Sequence, residues 1–156
     1  MKHAAGCLLI VLLAAGCLSP QTDPPIQSVQ LVRSGASWDG RPLPAYPAAA
    51  PEISILRITI PAGQTLPLHK HPVINAGVLL KGELTVTTER GDMLHLKAGD
   101  PIVEVVDTWH SGRNAGKGPA EIVVFYAGTQ EAPVTLHPPE AARTDVAPDA
   151  AERTTP

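Results

Sequence analysis

Between residues 52 and 126 the chain alternates short, mostly apolar runs with breaks at Gly, Pro or Asp, one break about every ten residues, the rhythm of a sandwich or barrel of short strands. Strands are expected over 52–60, 66–71, 76–80, 83–88, 93–96, 102–106, 109–113 and 121–126. Turn residues fall between them at Pro61-Ala62-Gly63, Lys81-Gly82, Arg90-Gly91-Asp92, Ala98-Gly99-Asp100 and 116–119. No window carries the apolar period of a helix. The pattern predicts an all-β fold with its barrel domain over 51–137.

Outside that domain the pattern is lost. Residues 26–33 read as one edge strand, and 37–51 as extended irregular chain, with Trp38, Tyr46, four prolines and an Asp39-Gly40 turn signal. Residues 138–156 are rich in Pro, Ala, Thr and charge and hold too little apolar surface to fold, so a disordered tail is expected there.

At the other end, Lys2 precedes an apolar run, Leu8 to Ala15, that is too short to span a bilayer and has the form of an export signal over 1–16. Leu13-Ala14-Ala15-Gly16-Cys17 resembles the lipobox of bacterial lipoproteins, with Ala14 where that family most often has Leu. The resemblance implies acylation of Cys17, cleavage before it, and a tether with extended segment over 17–50. Cys7 lies too near the start to serve, and Leu18 after the cysteine implies the periplasmic face of the outer membrane.

Composition narrows the picture. Thirteen Gly and 17 Pro against five aromatic residues make a turn-rich chain whose core must be Val, Ile and Leu. The cleaved chain would carry 11 basic and 15 acidic side chains, a formal charge of −4, without a basic run, which excludes nucleic acid as a partner. With Cys7 removed and Cys17 acylated, no disulfide is expected even in an oxidising compartment.

The chemistry lies in three histidines. His69 and His71 are two apart on an expected strand, so their side chains leave one face and can converge on one ion. Residues 63–82, with Gly63, His69, His71, Asn75 and Gly82, resemble the first motif of the cupin superfamily, G-x5-H-x-H-x3-E-x6-G, with Asn75 in place of the glutamate. Gly99, His110 and Asn114 match the second, G-x5-P-x-G-x2-H-x3-N, with Val105 and Asp107 replacing its Pro and Gly.

The resemblance, over about residues 52–126, implies a single jelly-roll-like cupin barrel with a divalent metal ion (Fe, Mn, Zn, Ni or Cu) on His69, His71 and His110. Asn75 takes the position of a fourth ligand. Loss of that glutamate leaves the ion its full double charge and favours an anionic small molecule. Glu104 lies in the strand before His110 and, by alternation with Ile102, faces inward, as fourth ligand, partner to a histidine, or general base and hence a catalytic residue.

By the same alternation Trp109 faces away from His110, while His95 and His137 have no motif partner and read as structural or solvated. Two functions follow from the resemblance and stay open: a metal-dependent enzyme of oxygenase, hydrolase or isomerase type, or a metal- or small-ligand-binding module at the cell envelope. It also implies a homodimer paired through sheet edges, with residues 26–33 serving that end.

Overall fold

The computed structural model describes residues 25–139. The expected export signal, Cys17 and most of the C-terminal tail lie outside the described residues. Seven strands run in the order β1 (Pro51–Ile60), β2 (Ile74–Lys81), β3 (Glu83–Thr88), β4 (Met93–Lys97), β5 (Pro101–Val103), β6 (His110–Arg113) and β7 (Ala120–Thr129). They form two sheets, β1-β7-β2-β5 and β4-β3-β6, in which neighbouring strands are antiparallel. The described residues contain no helix, and the architecture is the expected all-β, jelly-roll-like barrel.

Alternation builds the core. In β7, Ala120, Ile122, Val124 and Tyr126 turn inward, and β3 gives Leu84 and Val86 from the facing sheet, with Ile60, Leu79, Leu96 and Ile102 closing the interior. β1 and β7 pair over ten residues, from Pro51↔Thr129 to Ile60↔Ala120. A one-residue slip there would turn Ile60, the buried side chain of β1, to solvent, which favours this register. Gly82 makes the turn from β2 to β3 at φ +77°, where a Cβ would also lie 2.8 Å from the Pro119 carbonyl oxygen.

Two motif positions prove architectural. Asn114 is fully buried; its Nδ2 donates to the Ile60 and Gly118 carbonyls at 2.9 Å each, and its Oδ1 accepts from Gly116 N at 2.9 Å. It thereby ties the end of β1 to the β6–β7 turn. Asp107 stands where the motif has glycine and keeps a left-handed backbone, φ 50°, which Asp tolerates better than most residues.

The expected edge strand at 26–33 does not form: these residues pair with no strand, and Ile26 is fully exposed. The β5 side is reached instead by the turn around Trp38, whose N donates to Val103 O at 2.9 Å. Leu31 and Val32 run beside Val78, Leu80 and Phe125 on the outer sheet face. Trp38 packs against the core, whereas Tyr46 is exposed.

Candidate metal centre

His69 and His71 do not lie in a regular strand, contrary to expectation, because Pro67 and Pro72 interrupt pairing on either side. Isolated bridges position them: His69 pairs with His110, Lys70 with Leu136, and His71 with Val106. The shared face is nevertheless kept. The His69 ring centroid is 5.0 Å from that of His71 and 4.4 Å from that of His110, and His71 lies 5.1 Å from His110. One ligand atom from each falls within 4.8 Å of the other two, a group that can hold a metal ion.

Hydrogen bonds fix which atom that is. Each Nδ1 faces a backbone carbonyl: His69 that of Pro67 at 2.7 Å, His71 that of Val134 at 2.8 Å, and His110 that of Thr108 at 2.8 Å. A carbonyl only accepts, so each Nδ1 carries the proton and donates it, leaving Nε2 with a lone pair in the neutral ring. Carbonyl partners that orient imidazoles in this way are typical of metal-ligating histidines.

Glu104, just past β5, turns inward and is buried. Its N donates to Asn75 O at 3.1 Å, and its Oε2 lies 3.1 Å from His110 Nε2 and 3.5 Å from His71 Nε2. With its proton on Nδ1, His110 has none to give the carboxylate from Nε2, which remains a buried atom without a hydrogen-bond partner. Ligand atoms at about 2.1 Å from one ion stand roughly 3.0–3.4 Å apart in octahedral or tetrahedral sets, so the Glu104 contacts have the spacing of co-ligands. An orphaned, buried nitrogen beside a carboxylate fits a divalent cation.

Asn75 is not drawn into this group. It is fully buried, but its Nδ2 donates to Val73 O at 3.3 Å and its Oδ1 has no partner. The carboxylate thus sits one strand over from the motif's position, on the residue hydrogen-bonded to the Asn75 backbone. This corrects the expectation that the site keeps an ion's full double charge: Glu104 brings one negative charge to it.

Electrostatics follow the geometry. Burial lowers the His69 pKa to about 4, the Pro67 carbonyl opposing and the neighbouring histidines adding to the shift. Burial likewise lowers His71, with Glu104 acting against it. On His110 burial is outweighed by Glu104 and the Thr108 carbonyl, and the pKa rises. For Glu104 burial is outweighed by the His110, His71 and His69 rings, which hold the carboxyl below its ordinary range. In the metal-free site Glu104 is thus held as a carboxylate beside a His110 ring whose charged form it favours.

Sequence reasoning missed Tyr126. Its buried ring stands edge-on to His71, centroids 5.3 Å apart, and burial followed by the Glu104 charge raises its phenol. The available signal was its phase in β7, where it is the polar member of an inward apolar row. Also unforeseen was the segment after β7, which supplies the Val134 carbonyl and brings the His137 ring to 6.3 Å from His69. His95 meets Thr85 Oγ1 on the exposed side of β3–β4, and Trp109 lies under Lys70 Nζ at 5.3 Å, away from the site.

A barrel that turns three imidazoles and a carboxylate into its own interior has the residues of a candidate metal centre. Residues 56–126 match the family model described as Cupin domain, and with the architecture this supports placement in the cupin superfamily. Comparison with curated proteins finds no match. Among solved structures, oxalate oxidase in complex with the substrate analogue glycolate aligns at 27% identity over 54% of this chain and 45% of that one, with a TM-score of 0.46. A double-stranded β-helix protein from Klebsiella pneumoniae aligns at 24% over 54% and 72%, TM-score 0.48. A predicted oxalate decarboxylase from Thermotoga maritima aligns at 27% over 47% and 64%, TM-score 0.43. This chain thus spans less than half of the oxalate oxidase it matches.

Proposed function

We propose that the barrel is a metal-dependent cupin enzyme acting on a small molecule, with one divalent transition-metal ion held by Nε2 of His69, His71 and His110 and by the Glu104 carboxylate. The observation that carries this reading is the set of three Nδ1–H groups committed to carbonyls, which leaves three Nε2 lone pairs within reach of one point, with the Glu104 carboxylate beside two of them. Such an ion acts as a Lewis acid toward an oxygen-bearing ligand.

The chain's own residues do the rest. Pro67, Val134 and Thr108 carbonyls hold the rings in orientation, so the donor set is formed before binding. Glu104 brings one negative charge to the donor set. Leu66, Leu84, Val86 and Ile122 exclude water from the inner side.

In the cell we place the protein on the envelope, anchored through an acylated Cys17 at the periplasmic face of the outer membrane. It would acquire its ion there after export. A homodimer remains part of the proposal.

Elemental analysis of protein recovered from its native compartment tests the reading together with His69→Ala, His110→Ala and Glu104→Gln. The wild type should carry one transition metal per chain, either histidine variant close to none, and Glu104→Gln should bind 10- to 100-fold more weakly. Equal metal content in all four proteins would refute it. Turnover of oxygen-bearing small molecules by the loaded wild type separates an enzyme from a binding module.

A further inference from the structure

The ligand atoms open onto a chamber of about 40 Å³ inside the barrel. On this measure one water needs about 10–15 Å³, so an ion and a ligand of two or three heavy atoms fill the space. Apart from the three histidines and Glu104 its lining is aliphatic or glycine, with one exception, Tyr126. The imidazole N–H groups are already donated to carbonyls, and Glu104 and the Nε2 atoms only accept.

Tyr126 is 2% exposed, and none of the hydrogen bonds among the described residues engages its hydroxyl. Its direct partner across the β2–β7 ladder, Asn75, gives its Nδ2 to Val73, and the Asn75 Oδ1 is left unpaired. The chamber therefore contains one uncommitted neutral donor, beside the metal ligands and within an apolar wall.

Resting on the metal reading above, we infer that the Tyr126 hydroxyl donates a hydrogen bond to a small anion bound in this chamber against the metal centre. Three neutral imidazoles and one carboxylate leave a divalent ion a single positive charge, which a monoanion neutralises. The aliphatic wall offers such an anion no second donor, so recognition of its outer atom falls to Tyr126. Ligands of the size of formate or azide fit; a ring does not.

The full chain, loaded with cobalt(II), tests this by visible absorption, wild type beside Tyr126→Phe. Both should take up one cobalt with the same affinity, since the ring and the four ligands are retained. The dissociation constants of azide and formate should rise at least tenfold in Tyr126→Phe, and benzoate should bind neither protein. In the wild type the stretching band of bound azide should shift in D2O, a readout independent of the variant's stability.

Equal anion affinity in the two proteins, no anion-induced spectral change in the wild type, an absent isotope shift, or benzoate binding would each overturn the inference while leaving the metal reading in place. Failure of the wild type to bind cobalt would overturn the metal reading, and the inference with it.

Discussion

Residue by residue, the site keeps the three motif histidines and has its nearby carboxylate at another position. Asn75 occupies the motif's glutamate position, yet the carboxylate comes from Glu104 on the adjacent chain segment. The three histidines were legible because spacing alone puts them at matching positions in two motifs. The direction of Glu104 was legible from its alternation with Ile102, but its contact with His71 and His110 was not, since sequence carries no distance. Tyr126 was illegible as a site residue because an inward tyrosine among Val124 and Ile122 has the same pattern as a core aromatic.

Asp107 gives a prediction at this scale. Its left-handed backbone sets the turn between His71, whose O accepts from Asp107 N at 2.8 Å, and His110. Asp107→Val should destabilise the barrel by about 1–2 kcal/mol in denaturant unfolding and weaken metal binding with it. Asp107→Gly should be neutral to slightly stabilising, the Lys70 ion pair it removes at 3.2 Å being mostly exposed. If valine were tolerated as well as glycine, backbone conformation would not be what this position selects.

At the scale of elements, the turn residues that punctuate the apolar rhythm placed β3 on the very residues expected, whereas the expected strand at 66–71 does not form and that at 102–106 is cut to 101–103. The N-terminal part escaped for a physical reason: an extended apolar run reads as a strand whether or not an edge is available to pair with it. What secures this part is the turn at 36–42, where the Asp39 carboxylate meets Arg41 at 2.7 Å and Arg90 at 3.0 Å. Arg41 also donates to Thr108 Oγ1, two residues from His110.

Burial raises the Asp39 pKa, but the Arg41 backbone and side chain together with Arg90 outweigh it and hold the carboxyl below its ordinary 3.8. Its contribution to stability is therefore complete above pH 3.8 and is lost as pH falls through the lower folded value. Asp39→Asn should loosen the turn at neutral pH, raising amide exchange at Trp38 toward that of an unpaired segment. Unchanged exchange would show that Trp38 packing alone holds the turn.

For the molecule as a whole, no disulfide links the described residues, and stability rests on the two-sheet core and on whatever the site binds. In the metal-free barrel the unfolded chain takes up a proton at residue 69 near pH 6.5, while the folded chain refuses it until about pH 4. This residue therefore makes stability fall as pH drops across that window and level off below it. His110 acts with the opposite sign: its raised pKa gives stability that is complete below pH 6.5 and lost as pH rises through the folded value. A bound ion replaces both dependences, and at 100 times its dissociation constant it should add about 2.7 kcal/mol. Thermal unfolding at pH 5 and pH 7, with and without metal, checks the pair; equal midpoints with and without metal would contradict it.

The central claim, that His69, His71, His110 and Glu104 share one ion, is tested most directly by X-ray absorption at the metal edge of the loaded full chain. The predicted spectrum has three imidazoles and one carboxylate oxygen in the inner coordination sphere at about 2.0–2.2 Å, the carboxylate contribution being lost in Glu104→Gln. A sphere with fewer than three imidazoles, or one unaltered by His110→Ala, would contradict it.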